Sequence, residues 1–393
     1  MGAPARFLVA GIVLIALAVG LALVLRQQRP EPAPARLSVA RALGGASPDG
    51  FLRALEPRRF SFPDDHGPHD GFRNEWWYFT GNLADAEGRS FGYQLTFFRV
   101  ALRPRPVARD SRWGAGEVWM AHLALTDVAG RRFRHAERLS REALGLAGAG
   151  GRPLRVWLED WQGGGEAVEV AARPWAVRLT GNGGDWGIDL TLRAVKPEVL
   201  NGAGGLSRKG GEPGNASYYY SLPRMETSGT VRAGGTTFTV SGLSWLDREW
   251  STSALAPDQA GWDWLALHLN DGRDLMYYRL RRRDGTTDPA SAGTIVAADG
   301  SYRHLAAAAA TLETLSWWAS PAGGARYPSR WRLRIPAEGI DLDIVPRLPD
   351  QELFTTVRYW EGAVEVRSNT GKGIAGSGYV ELTGYGDQDV SAN

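Results

Sequence analysis

Residues 241–253, SGLSWLDREWSTS, hold the side chains best suited to move a proton. Read as a strand, the period of two places Trp245, Asp247 and Glu249 on one face and Leu246, Arg248 and Trp250 on the other. If the first face is turned into a barrel, burial disfavours ionisation of a carboxyl and the neighbouring acid raises one of the pair further. Asp247 then becomes a general acid at neutral pH, with Glu249 as its charge partner or as a base orienting water. If the face is turned to solvent, Asp247 is a surface charge beside Arg248, and the sequence weighs the two readings equally.

Aromatic runs stand near this pair. SYYYSLPRM supplies Tyr218, Tyr219 and Tyr220, and GWDWLALHL supplies Trp262 and Trp264, each alternating as in a strand. Tyr218, Tyr220, Trp245, Trp262 and Trp264 are the candidate substrate-binding walls, suited to a flat or polyene-like apolar ligand whose developing cation would be stabilised by ring faces. The same rings would serve equally well as core.

Other chemistry is poorly supported. FPDDHGPHDGF offers Asp64, Asp65, His66, His69 and Asp70, but two prolines make it a loop and the spacing does not set two imidazoles on one helix face. No metal is assigned there. Gly-x-Ser-x-Gly is absent, and the runs GLAGAGG and NGAGG lack the lysine and strand–helix context of a phosphate loop, so neither a serine hydrolase nor a cofactor is expected. With Cys 0, thiol catalysis, cysteine zinc sites and disulfides all fall away. Lys+Arg 45 against Asp+Glu 43, without a basic stripe, argues against nucleic acid as a partner. In NEWWYF, Glu75 is expected to close a barrel end through a hydrogen bond or ion pair, with Arg73 as the near partner. One of the pairs Trp77/Phe79 and Trp76/Tyr78 should then face inward.

The elements that must position these residues read as strands. Gly 50 and Trp 16, with short apolar runs between Gly-marked turns, predict an all-β protein. RHLAAAAATLETLSWW, residues 303–318, reads either as a helix or as a loop followed by a strand. EWWYFTGNLADAEGRSFGYQLTFFR can be laid over GWDWLALHLNDGRDLMYYRLR, with Trp76 on Trp262, Tyr78 on Trp264 and Gly88 on Gly272. The repeat predicts two related β units, most economically two tandem antiparallel β-barrels, at 59–240 and 241–393. Residues 7–25 carry no charge and are flanked by Arg6 and Arg26, which predicts an N-terminal transmembrane anchor or signal helix over 1–28, the length favouring an anchor. A Pro-rich linker follows over 29–58, and the remainder is expected outside the cytoplasm.

PDDHGPHDGFRNEWWYFTGNL, YYYSLPRM, GLSWLDREWSTS, GWDWLALHLNDGRDLMYYRLR, YWEGAVEV and GYVELTGY together resemble the secreted AttH-like proteins, relatives of the carotenoid 1,2-hydratases (hydroxyneurosporene synthases). The resemblance runs from about residue 60 to the C-terminal end. It implies two tandem lipocalin-like barrels, a hydrophobic small molecule such as a lipid or isoprenoid, and an envelope ABC transporter permease as a partner. In the hydratases an acid protonates a terminal isoprenoid double bond and water captures the cation. That acid corresponds to Asp247; Trp245 stands in place of a tyrosine, and Tyr218 and Tyr220 in place of an assisting histidine and tryptophan. An aromatic wall is kept and an imidazole is lost.

Overall fold

The computed structural model describes residues 49–104, 111, 113–164, 175–253, 255–369 and 375–386. The expected N-terminal helix lies outside these residues; among the described residues no helix is long and apolar enough to cross a membrane. Among the described residues the fold is all-β, with only short 3₁₀ turns between strands.

The first sheet opens with four long strands, β1 (Asn74–Ala84), β2 (Ser90–Ala101), β3 (Glu117–Asp127) and β4 (Arg132–Arg141). Five shorter ones follow: β5 (Ala147–Gly151), β6 (Leu154–Leu158), β7 (Trp161–Gly164), β8 (Ala176–Asn182) and β9 (Gly187–Ala194). Short β10 (Val199–Leu200) and β11 (Leu206–Arg208) precede the long pair β12 (Ala216–Ala233) and β13 (Thr236–Ser251). The order is β4-β3-β2-β1-β13-β12-β9-β8-β7-β6-β5, antiparallel in every pair, and β6 packs back onto β2, β3 and β4 so that the sheet curls into a near-barrel. Pro223 cannot donate to the ladder, and the β12–β13 register slips between Leu222 and Met225 around it. Before the slip β12 is flanked by β10 and β11, and after it by β9.

The second sheet comprises β14 (Gln259–Leu269), β15 (Asp274–Arg282), β16 (Ala292–Val296), β17 (Tyr302–Ala306) and β18 (Thr311–Ala319). It continues with β19 (Arg326–Ile335), β20 (Ile340–Pro346), β21 (Glu352–Phe354), β22 (Arg358–Ser368) and β23 (Ala375–Leu382). Its order, β17-β16-β15-β14-β23-β22-β20-β19-β18, repeats the start of the first: a four-strand meander whose leading strand pairs with the last strand of its own sheet. The matched hairpin turns hold Gly88 and Gly272 at φ +84° and +87°, a left-handed backbone that a Cβ disfavours. Residues 303–318 form strand, 3₁₀ turn and strand, so the alanines do not make a long helix.

The expected division at 240/241 falls inside β13, which pairs with β1 and β12 as far as Ser251; the first sheet therefore runs eleven residues further. Both sheets belong to one compact unit. Each has a filled interior: Trp77, Phe79, Tyr93, Leu95, Trp119 and Leu246 in the first, and Leu265, Leu267, Trp331, Leu342, Trp360 and Val364 in the second.

Candidate functional site

Strand alternation sends Trp77 and Phe79 of β1 and Leu246 of β13 into the first core, and turns Trp76, Tyr78, Trp245, Asp247 and Glu249 to the opposite face. Asp247 thus lies on the outside of its near-barrel, where an isolated barrel would meet water. It is nevertheless buried, because the outer face of the second sheet covers it: Trp264, Met276, Tyr278 and Tyr379 share one apolar cluster with Tyr78 and Trp245. Between the two faces lies a cleft, a cavity of about 120 Å³ that is partly open to solvent. The first sheet contributes Trp76, Tyr78, Tyr219, Asp247 and Glu249 to its walls, and the second contributes Trp262, Trp264, Tyr278, Glu361 and Glu381.

The Asp247 carboxyl accepts from Ser221 Oγ (2.5 Å) and Trp245 Nε1 (2.6 Å) at Oδ1, and from Tyr219 Oη (2.5 Å) at Oδ2. Tyr219 accepts in turn from Trp264 Nε1 at 3.1 Å, a bond between the two sheets. Burial pushes the Asp247 carboxyl up to about 7 against these three donors, with the charge of Glu249 adding to the rise. Oδ1 already accepts two bonds, so a proton on this group resides on Oδ2, on the side of Tyr219. Glu249 is paired with Lys209, Nζ to Oε1 at 3.1 Å, and the ammonium also lies over the rings of Tyr278 (4.4 Å) and Tyr219 (5.1 Å).

A second acidic pair faces the first. Glu361 of β22 and Glu381 of β23 are direct cross-strand neighbours. Burial raises both carboxyls, Glu361 well above the ordinary range, and the charge of Glu381 raises Glu361 further. Tyr78 of the first sheet donates to Glu361 Oε1, a hydrogen bond that joins the two sheets.

Of the sequence-derived site residues, Asp247, Glu249, Trp262 and Trp264 meet in the cleft. Trp245 does not line it, and instead holds Asp247 through its indole N–H. Tyr218 and Tyr220, expected to wall a ligand, do not line this cleft: in the β12–β13 register Tyr219 stands opposite Glu249 and Ser221 opposite Asp247, whereas Tyr218 and Tyr220 stand opposite Trp250 and Arg248 on the other face. There they pack with Phe60, Phe62 and Trp250, and Tyr220 Oη is 2.6 Å from His66 Nδ1. Tyr219, Ser221, Lys209, Glu361 and Glu381 were not anticipated. The acids were marked in the sequence by a lone charge within apolar strands, YWEGAV and YVEL.

Glu75 is fully buried and makes the ion pair expected of it, but with residues other than Arg73. It meets Arg248 (2.7 Å), Arg99 (3.1 Å) and His69 (2.7 Å). Burial alone would raise its carboxyl, yet Arg248, His69 and Arg99 outweigh that and hold it far below the usual carboxylate range. His69 also reaches Asp65 at 3.0 Å and stacks on Trp250, which ties the acidic loop to β13.

Comparison with known proteins agrees with this architecture. The AttH-like family model matches residues 53–385. The crystal structure of an AttH protein from Nitrosomonas europaea is 33% identical, covers 85% of this chain and 100% of its own, and superposes with a TM-score of 0.75. Kievitone hydratase from Nectria haematococca, at 17% identity, shares the fold over 87% of this chain and 98% of its own, with a TM-score of 0.62. CghA, crystallised with Sch210972, shares it at 13% identity over 88% and 97%, with a TM-score of 0.50. No curated protein matches the chain closely. With nearly the whole described region covered by the family model, the chain belongs to the AttH-like family.

Proposed function

We propose that this protein binds an apolar small molecule of isoprenoid or related type in the cleft between its two near-barrels, and that Asp247 protonates a carbon–carbon double bond of that ligand. The observation that carries the reading is a carboxyl pushed up to about 7, buried on the wall of an aromatic cleft rather than in either core. A proton added to the alkene leaves a carbocation, which the faces of Trp76, Trp262 and Trp264 would stabilise. Water captures the cation and loses a proton to Glu249, so that alkene and water give an alcohol with no redox change. The hydratase named among the fold relatives supports the class of reaction, and its substrate is not carried over.

A second reading is favoured by the three donors already on Asp247, which suit a carboxyl that merely holds the two sheets together. On that reading the protein carries a lipid or terpenoid outside the cytoplasm, handing it to an envelope ABC transporter. The test is Asp247→Asn assayed against a panel of isoprenoid alkenes, with binding followed by tryptophan fluorescence. General acid catalysis predicts a fall in turnover of about 10²–10⁴-fold with binding retained. Retained turnover removes Asp247 as the acid, and binding without turnover in the wild type supports the carrier.

A further inference from the structure

The two acidic pairs of the cleft are not equivalent. Both oxygens of Asp247 are engaged by protein donors. In Glu361, Tyr78 donates to Oε1, whereas Oε2 is buried without a hydrogen-bond partner among the described residues, and the Tyr359 hydroxyl lies beside the carboxyl. A buried carboxyl with one oxygen held by a phenol and the other free carries its proton on the free atom, where the O–H is available to a ligand or a water.

Behind Glu361 runs a chain of polar groups that reaches the rim, whereas the chain behind Asp247, through Ser221, Asn201 and Thr294, ends in buried side chains. Tyr359 Oη lies 2.7 Å from His122 Nδ1, and His122 Nε2 lies 3.0 Å from Glu137 Oε1. His122 is fully buried between the sheets, while Glu137 on β4 reaches the rim, where it also accepts from the backbone and hydroxyl of Thr356. Tyr359 lies in β22 and His122 in β3, so the chain exists only because the two sheets are packed together.

We propose that Glu361 is a second proton donor of the cleft, acting through Oε2, and that Tyr359, His122 and Glu137 form its route to solvent when a ligand fills the cleft. The proposal rests on the acid-assisted reading above. Reloading moves each proton one place. The Glu361 carboxylate takes the Tyr359 phenolic proton, Tyr359 takes the Nδ1 proton of His122, and Nε2 takes a proton that solvent has delivered to Glu137.

Infrared difference spectroscopy of the purified full-length chain at neutral pH tests this without a substrate. The expected result is a protonated-carboxyl band lost in Glu361→Gln and kept in Asp247→Asn; Tyr78→Phe should shift that band, which covers the case in which Glu361→Gln fails to fold. On transfer to D₂O, exchange of the band should slow roughly tenfold in Tyr359→Phe and in His122→Gln, as expected for loss of one link in a buried hydrogen-bond chain. A spectrum with no Glu361 band overturns the donor, and exchange as fast in both variants as in wild type overturns the route. Absence of alkene turnover would sink the reading of the cleft and leave these spectra unchanged, so the two failures are distinguishable.

Discussion

Asp247 and Glu75 are both buried carboxyls on adjacent strands, one on each face of the first sheet, and their environments act in opposite directions. The Asp247 carboxyl is raised by burial, so the folded state holds its proton more tightly than the unfolded chain. Stability from this group is then complete below its ordinary value of 3.8 and lost as pH rises towards about 7. Asp247→Asn should remove that loss and raise the melting temperature at alkaline pH, by an effect on the order of 4 kcal/mol at most. Glu75 is lowered by Arg248, His69 and Arg99, so its contribution is present above its ordinary value of 4.5 and lost only in strong acid. Glu75→Gln leaves Arg248 buried without its charge partner and should cost about 3–5 kcal/mol in urea denaturation at neutral pH. Finding both variants equally destabilised would contradict the difference between the two sites.

At the scale of elements, the cleft depends on how closely the strands of the two sheets approach. Gly92 of β2 faces Ala363 of β22 so tightly that a Cβ added there would lie 2.4 Å from that of Ala363. Gly92→Val should therefore push the sheets apart, costing about 1–3 kcal/mol and weakening ligand binding in the cleft. Gly150, in β5, has open space at the same position, and Gly150→Ala should change stability by no more than about 0.5 kcal/mol. Thermal denaturation of the two variants side by side separates sheet contact from a general intolerance of side chains at glycine. The long pair β12–β13 matters in the same way: before the slip at Pro223, β12 sets the donors Tyr219 and Ser221 in register with Glu249 and Asp247 of β13.

For the whole molecule, each sheet wraps its own apolar cluster among the described residues, and the aromatic cleft lies between the two. A fragment of residues 49–252 would retain Asp247 but lose Trp264, Glu361 and Glu381, and would expose Trp76, Tyr78 and Tyr219 to water. It should bind an apolar fluorescent dye strongly and fail to bind the ligand of the intact chain. Ligand binding by the fragment at full affinity would place the site inside the first near-barrel instead.

Much of this arrangement was legible in the chain itself. Period-two alternation paired Trp77 with Phe79 and Asp247 with Glu249, the hairpin repeat matched Gly88 with Gly272, and the aromatic strands announced an all-β fold, because side-chain alternation and turn geometry are local properties. Local pattern could not say which face of β13 is wet, nor that Tyr219 rather than its neighbours meets Asp247, since register depends on the partner strand and shifting it by one residue exchanges the faces. Arg73 was the near partner of Glu75 in sequence, while Arg248 lies 173 residues away and reaches it through the pairing of β1 with β13. Sequence alone determined the strands, the repeat and the family resemblance. Only the tertiary structure brought Asp247 and Glu361 to one cleft, because the burial that raises a carboxyl on one sheet is supplied by the outer face of the other.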